Sequence, residues 1–314
     1  MTLLSESEKI SYGKQALIWG AALLLVQLSL GTGFVFLTLW FASVPAVLLY
    51  VKTDRRWFAG IAAGTMIVGA AIYGAMAFLF LAMALMTLVP GIVLGEAYRR
   101  RKTARAAITA GVVGYLAMYL ILILVATMLG FNLTSEIAAS TRETVDRFMV
   151  DSAREMITEE TMQGFIDLYV MLIPLILIAS STLLTAITHT VSRRIANRTK
   201  GLSIPSLPPV RDWRLPRSFV WYYLIALFAE LFVPVDRESF LSTVVVNLVP
   251  LFMFAFVVQG LSFLFFLGHE KRKKWIPWVG LIAVVLLNPL TMPFSLLGVF
   301  DTAFPIRDRF RRKS

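Results

Sequence analysis

The stretch Ala75–Lys102 constrains this chain most, because a long uncharged run ends abruptly in basic residues. Its first 21 residues, Ala75–Gly95, contain no Asp, Glu, Lys or Arg. A helix of ~20 apolar residues, rising ~1.5 Å per residue, spans the ~30 Å hydrocarbon core of a bilayer. The run closes with the basic cluster 99–102, and such clusters stay on the cytoplasmic side of a membrane. The stretch therefore predicts a transmembrane helix whose C-terminal end faces the cytoplasm.

Composition agrees with a membrane protein and excludes several other classes. Of the 314 residues, 58% are hydrophobic and 16% are charged, whereas soluble domains carry about 25% charged residues. Cys is absent and only two His are present, which excludes disulfides, thiolate metal sites and a His-rich metal centre. The net charge of +11 suggests nucleic-acid binding at first. The basic residues, however, form short clusters at the ends of apolar runs, as topology signals do, so we expect no nucleic-acid partner.

Apolar runs recur along the chain and predict an all-α, polytopic membrane bundle with about eight full transmembrane helices. Short uncharged turns or basic loops join most of them into hairpins. The predicted spans are Ala16–Leu30, Phe34–Val51, Trp57–Tyr73, Ala75–Tyr98, Ala106–Phe131, Asp167–Val191, Phe219–Val233 and Phe240–Gly268.

The C-terminal run Trp275–Phe300 allows two interpretations. As one span it would place the basic residues of 307–313 outside the cell. A break at Asn288-Pro289 would instead give two half-length helices, because Pro289 and Pro293 interrupt a helix. We favour this broken or re-entrant hairpin, since it leaves only Arg142, Arg147, Arg154 and Arg237 outside and 26 of the 30 Lys and Arg residues inside. Both termini are then cytoplasmic.

The same pattern divides the chain into regions. Residues 1–198 form a six-span core, 199–217 a Pro-rich cytoplasmic linker, and 218–314 a second membrane bundle. Within the core, the insertion 132–165 carries seven acids and apolar residues at helical spacing. We expect one or two amphipathic helices there, outside the membrane.

Polar side chains within the spans are the candidate functional residues, because they are energetically unfavourable in a bilayer. Gln27, Asn247, Gln259 and Asn288 are the candidate lining residues of a ligand cavity, with interhelical hydrogen bonding as the alternative role. Asn288 stands out because a broken helix exposes backbone groups that can line a cavity. The second half of the sixth predicted span contains Ser180, Ser181, Thr182, Thr185 and His189. Ser and Thr within a span usually bond a backbone carbonyl one turn back. Glu96 is expected to pair with Arg99 or Arg100.

Signatures of catalysis are missing from the sequence. It has no nucleophile with a plausible base, no His-Glu-x-x-His run and no phosphate-binding loop of the GxxxxGK[ST] type. We therefore expect no enzyme activity, no cofactor and no metal.

The chain resembles the YybS-like family of bacterial membrane proteins, also called DUF2232. The residues that carry this resemblance are Pro90, Gly91, Gly95, Arg99 and Arg100, the polar insertion, the Pro-broken linker, and the C-terminal segment from Asn288 through Leu297–Asp301 to Arg307. The family has no established activity. Its N-terminal half is similar to the substrate-capturing S components of energy-coupling-factor transporters, although those usually end after six spans. This likeness implies that small residues contact partner subunits, here Ala16, Gly20, Gly60 and Gly64.

Two functions follow as hypotheses. The first is small-molecule binding or transport by a membrane subunit that has no ATPase of its own. The second is a membrane scaffold or regulator that acts through the helix at 134–165 or through the linker 201–217.

Overall fold

The computed structural model describes residues 6–148, 157–198, 203–236, 238–287, 291–304 and 306–311. These residues form helices joined by turns and one extended linker, so the predicted all-α class is confirmed. The chain divides into two compact units. Unit 1 comprises residues 1–133 and 177–206, and unit 2 comprises residues 134–176 and 207–314. The predicted boundaries at 198 and 218 stay a prediction.

Unit 1 is built from helices that follow the predicted spans. They are α1 (Glu6–Ser29), α2 (Val44–Lys52), α3 (Arg55–Tyr73), α4 (Ala77–Arg99) and α5 (Ala104–Met128), together with most of α8 (Ile173–Ala196). A helical turn at Val35–Thr38 and a 3-10 turn at Leu39–Phe41 lead into α2. Thr103 caps α5 by accepting a hydrogen bond from the Ala106 N–H. The uncharged run at 75–95 thus becomes the body of α4.

The interior of unit 1 is an apolar core that forms where α1, α2, α3 and α4 meet. Leu23, Leu48 and Leu94 are fully buried in it. At the basic end of α4, Glu96 pairs with Arg100, as the sequence predicted, and also with Arg55 at the start of α3. Arg99 does not pair with Glu96 but donates to the carbonyl oxygens of Tyr50 and Thr53. These contacts fix the α2–α3 loop to the end of α4.

Unit 2 contains the polar insertion and the C-terminal helices. Its helices are α6 (Leu133–Phe148), α7 (Glu159–Met171), α9 (Ser218–Phe232), α10 (Phe240–Glu270), α11 (Ile276–Leu286), α12 (Thr291–Ala303) and α13 (Ile306–Arg311). Residues 134–165 therefore do form two helices within their described part. The linker is extended from 203 onward except for a 3-10 turn at Val210–Asp212.

The closest helix contact in unit 2 joins α10 and α12 at two glycines, Gly260 and Gly298. A Cβ atom on Gly298 would collide with the carbonyl oxygen of Phe256 and lie 3.0 Å from the Gly260 nitrogen. A Cβ atom on Gly260 would collide with the Phe294 carbonyl. Each glycine faces the other and the turn before it, so the two helices run in the same direction. Small residues permit such close backbone approach between membrane helices.

The outer surface of many helices is apolar, as expected in a bilayer. Large side chains such as Phe36, Met128 and Leu231 are more than three-quarters exposed, at 80%, 79% and 78%, an arrangement that lipid but not water tolerates on this scale. Five helical stretches of the described residues are long and apolar enough to cross a membrane: Val35–Lys52, Arg55–Arg99, Ala104–Met128, Ile173–Ala196 and Phe240–Glu270. The number of spans stays a prediction. Of the predicted break in the tail, Asn288 and Pro289 lie outside the described residues, while α11 and α12 flank it as separate helices.

Candidate functional site

A continuous row of polar side chains faces the interior of unit 1 from α8. Its members recur at helical spacing and are all buried, with exposures between 0% and 3%: Ser181, Thr185, Thr188, His189 and Ser192. At ~1.5 Å per residue the row covers about 17 Å of the helix. The methyl group of Thr185 lies over Gly111 of α5, which has no side chain to displace it. The row therefore packs inward against α5 and occupies the second half of α8.

Two tyrosines from neighbouring helices meet this row. The Tyr98 hydroxyl of α4 lies 2.8 Å from His189 Nδ1. The Tyr115 hydroxyl of α5 donates to Ser43 Oγ over 2.7 Å, and 3.3 Å separate it from Thr188 Oγ1. Tyr98 and Tyr115 are themselves buried. The result is a polar cluster of three helices and the residue before α2, set in the apolar interior of unit 1.

Four buried polar atoms of the row have no hydrogen-bond partner within the described part of the chain. They are Ser181 Oγ, Thr185 Oγ1, His189 Nε2 and Ser192 Oγ. Two half-buried neighbours of the row behave differently, because Ser180 donates to the Leu177 carbonyl and Thr182 to the Ile178 carbonyl. The predicted bonding to a carbonyl one turn back thus holds for these two residues and is absent at Ser181, Thr185 and Ser192. A buried hydroxyl without a partner is unfavourable by about 1–3 kcal/mol, so a molecule that bonds these atoms would be stabilised here.

Gln27, a predicted lining residue, lies fully buried on α1, and both polar atoms of its amide lack a partner among the described residues. It shares unit 1 with the α8 row, but no hydrogen bond joins it to the described residues of that row. Its assignment as a lining residue stays a prediction.

Two other predicted lining residues, Asn247 and Gln259, belong to unit 2 and have structural partners. Asn247 accepts from the Leu175 N–H and donates to the carbonyls of Met171 and Thr243. Gln259 is buried among linker and helix groups, described below. Asn288 lies outside the described residues. The bonds of Asn247 to Leu175 and Met171 join different helices, which is the alternative role predicted for this residue, whereas Thr243 lies on the same helix.

Sequence reasoning missed a buried charge network in unit 2. Arg307 and Asp301 form an ion pair at 2.5 Å whose side chains are 3% and 1% exposed. Arg307 also donates to the Arg211 carbonyl and to Ser262 Oγ, and Gln259 bonds Asp301 and the Leu215 N–H. Ser262 donates to linker carbonyls as well. The network thus holds the linker against α10 and α12. The available signal was an acid, Asp301, at the end of an apolar run.

The small residues predicted to contact partner subunits lie on α1 and α3. Ala16, Gly20 and Gly64 line an apolar groove of about 750 Å³ between these helices. Gly60 is exposed and is not among the lining residues. The partner itself stays a prediction. Among the described residues, no group of three or more His, Asp or Glu side chains is arranged to hold a metal ion.

Comparison with known proteins gives a family but no activity. A family model described as "Predicted membrane protein (DUF2232)" matches residues 21–302. The chain is 24% identical over 242 residues to a protein of Bacillus subtilis (strain 168) described as "Uncharacterized protein YybS", covering 74% of this chain and 76% of that protein. No solved structure matches.

Proposed function

Since this chain belongs to the DUF2232 family of membrane proteins, we propose that it binds a small polar molecule inside unit 1 as a binding or transport subunit of a membrane. The observation that supports the proposal is the set of four unpartnered polar atoms on the inner face of α8. The proposal includes no catalytic step and no ATPase. We place the protein in a bacterial inner membrane with both termini in the cytoplasm, and the distribution of Lys and Arg supports this orientation.

The physical argument begins with the low polarity of the surroundings. Each unpartnered hydroxyl or imidazole nitrogen in such an interior is destabilising by about 1–3 kcal/mol. An apolar residue of equal size would avoid this penalty, as Val does for Thr. Four such atoms on one helix face destabilise the unliganded protein, although apolar side chains of the same size would pack equally well there. The hydroxyls of Ser180 and Thr182 beside them, in contrast, have hydrogen-bond partners. A bound polar molecule would supply the missing partners and offset the penalty.

The arrangement also fits a binding site better than an interhelical contact. Interhelical polar contacts in membranes satisfy both partners, as Tyr115 and Ser43 do here. Ionisable side chains within membrane-spanning segments typically mark substrate or proton pathways, and His189 is such a side chain. The likeness to S components implies an energising partner subunit, and this element of the proposal rests on that likeness alone.

The test combines ligand binding with the stability of the unliganded protein. Purified protein is screened by native mass spectrometry for a copurifying molecule and by thermal shift against a metabolite panel, since a ligand of the folded state raises the midpoint. Thr185→Val and Ser192→Ala should abolish the ligand-dependent shift. The same variants should leave the unliganded protein as stable as before or more stable, because they remove an unpartnered buried hydroxyl.

The matched control is Thr182→Val, which changes a half-buried neighbour of the row whose hydroxyl already bonds the Ile178 carbonyl. It should leave ligand binding intact. Two results would contradict the proposal: no copurifying molecule together with no thermal shift, or destabilisation of the unliganded protein by Thr185→Val and Ser192→Ala alike. The second result would show that the row serves packing.

A scaffold or regulatory role is the competing function, and one observation favours it. The linker is fixed in place, because Gln259, Ser262 and Arg307 form hydrogen bonds with its backbone between Val210 and Leu215. A held linker presents a fixed surface to another protein. Deleting 134–165, or replacing 203–209 with Gly and Ser, discriminates the two functions. Loss of the cellular phenotype with ligand binding preserved would favour the scaffold.

A further inference from the structure

We infer that the molecule bound at the α8 row is a small carboxylate, which accepts hydrogen bonds from His189 Nε2 and from the Ser192 hydroxyl one turn later. The inference rests on the proposed function and adds the chemical class of the ligand. Three features carry it: the hydrogen-bond partner of the other imidazole nitrogen, the spacing of the hydroxyls, and the sign of the nearby charge.

The contact between Tyr98 and His189 determines what Nε2 can do. A tyrosine hydroxyl carries one proton, and among the described residues Tyr98 Oη contacts only His189 Nδ1. If Nδ1 carried the sole imidazole proton, the Tyr98 proton would have no acceptor in a buried position. The satisfied arrangement has Tyr98 donating to Nδ1, which places the imidazole proton on Nε2. A doubly protonated ring also carries a proton at Nε2, so this atom is a donor in both arrangements.

Hydroxyls lie on both sides of this donor along the helix, and the nearer one is Ser192. Thr185 lies four residues before His189 and Ser192 three residues after it, about 6 Å and 4.5 Å along the helix axis. All three lie on the inner face and lack partners at Oγ1, Nε2 and Oγ within the described residues. Each hydroxyl can rotate its proton toward an acceptor. His189 Nε2 and the nearer hydroxyl, Ser192 Oγ, can therefore bond the two oxygens of one carboxylate, which accepts several hydrogen bonds at once, whereas Thr185 and Ser192, about 10.5 Å apart along the axis, cannot share it.

The charge near the cluster is positive. Arg193 lies on α8 one turn beyond His189. No carboxylate of the described residues forms a hydrogen bond with the row. A buried anion needs donors and a compensating charge; the row offers the donors, and Arg193 is the nearby positive charge on the same helix. A cationic ligand would instead meet a donor at Nε2 and the Arg193 charge, which disfavour it.

The first test measures the proton on His189 directly and needs no ligand. Because the sequence has only two His, a His269→Asn variant labelled with ¹⁵N-histidine gives the imidazole signals of His189 alone. We expect Nε2 to be protonated, with a pyrrole-type ¹⁵N shift. Tyr98→Phe removes the hydroxyl that donates to Nδ1, so the imidazole proton should no longer be confined to Nε2. A pyridine-type Nε2 in the His269→Asn protein would overturn the inference, since Nε2 would then be an acceptor.

The second test compares three probes of one shape and different charge: benzoate, benzamide and benzylamine. We expect benzoate to shift the His189 Nε2–H signal and to raise the unfolding midpoint, with benzamide at least about tenfold weaker, as the loss of a charged hydrogen bond predicts. Benzylamine should have no effect. Ser192→Ala should weaken benzoate binding by about tenfold, while Thr182→Val leaves it unchanged.

The outcomes separate this inference from the proposed function. If benzylamine or benzamide binds better than benzoate and Ser192→Ala abolishes that binding, the site stands and the carboxylate assignment is wrong. If a copurifying molecule depends on Thr185 and Ser192 but is not an acid, the same conclusion follows. If no probe binds and no molecule copurifies, both the inference and the proposed function fail.

Discussion

At the scale of single residues, the buried ion pair of Arg307 and Asp301 in unit 2 depends most on the hydrogen bonds around it. Both side chains are almost fully buried, and removing charges from water is unfavourable unless each is paired and hydrogen-bonded. Here every part of the pair has a partner, because Arg307 bonds the Arg211 carbonyl and Ser262, and Asp301 also accepts from Gln259. The pair therefore stabilises the fold only while both charges keep all their partners. Loss of one member leaves the other as an unpaired charge in an apolar interior.

We predict that Arg307→Gln or Asp301→Asn lowers the free energy of unfolding by about 3–5 kcal/mol, the range for breaking a buried pair. The measurement is unfolding in detergent micelles followed by tryptophan fluorescence. The control is Arg214→Gln, which removes the exposed pair of Arg214 with Asp308, 50% and 53% exposed, and should change stability by less than about 1 kcal/mol. Equal effects of the buried and exposed variants would show that the network does not hold the linker.

At the scale of helices, the contact of α10 with α12 depends on two positions without side chains. At Gly298 an added Cβ would meet backbone atoms of Phe256 and Gly260 rather than flexible side chains, so the helices would have to separate. We predict that Gly298→Ala destabilises unit 2 by at least about 1–3 kcal/mol, the usual range for overpacking. Limited proteolysis of the linker and thermal unfolding would measure the loss.

A matched glycine in unit 1 gives the control. Gly60 lies within α3, and nothing comes within 4 Å of an added Cβ there. Gly60→Ala should leave stability unchanged or raise it by up to about 1 kcal/mol, because Ala is the better helix former. A loss at Gly60 as large as that at Gly298 would mean that general glycine effects, and not the helix contact, determine the result.

The insertion adds a pH-dependent contact between helices. Arg142 of α6 donates two hydrogen bonds to Glu159 at the start of α7, and this lowers the pKa of the Glu159 carboxyl below its ordinary value. A carboxyl with a lowered folded pKa stabilises the contact above its unfolded pKa, and this contribution disappears as the pH falls through the folded pKa. We predict that hydrogen exchange in α6 and α7, taken relative to the intrinsic exchange rate at the same pH, accelerates below about pH 4, near the ordinary pKa of Glu.

Arg142→Gln tests the cause of that acceleration. The variant removes the hydrogen bonds to Glu159, so exchange in α6 and α7 should be faster at neutral pH and should lose its dependence on acid. Arg147→Gln is the control, since Arg147 pairs with Glu143 within α6 and not with α7. An unchanged acid dependence in Arg142→Gln would assign it to another carboxyl.

At the scale of the whole molecule, sequence patterns predicted the helices, because their positions follow from the hydropathy of the chain. The uncharged run at 75–95 and the basic cluster after it became a helix that ends at Arg99, and the insertion became α6 and α7. The candidate site depends instead on which face of a helix is buried. Ser180 and Ser181 are adjacent in sequence, yet only Ser181 faces inward, and polar residues alone give no sign of this. The partners of Gln259 and Arg307 depend on contacts between distant segments, which no local pattern encodes.

The sidedness of the chain remains the broadest prediction, and the absence of Cys makes it directly testable. Single-cysteine variants Lys102→Cys and Lys274→Cys fall in basic clusters predicted to be cytoplasmic, and Glu143→Cys falls in the insertion predicted to be outside. In intact cells a membrane-impermeant maleimide should label Glu143→Cys alone, whereas all three should react after the membrane is opened. The energetic basis is the retention of Lys and Arg on the cytoplasmic side. Labelling of Lys274→Cys from outside would place an odd number of spans between it and Lys102. The tail beyond Lys274 would then need a new topology, because only an even arrangement keeps 26 of 30 basic residues inside.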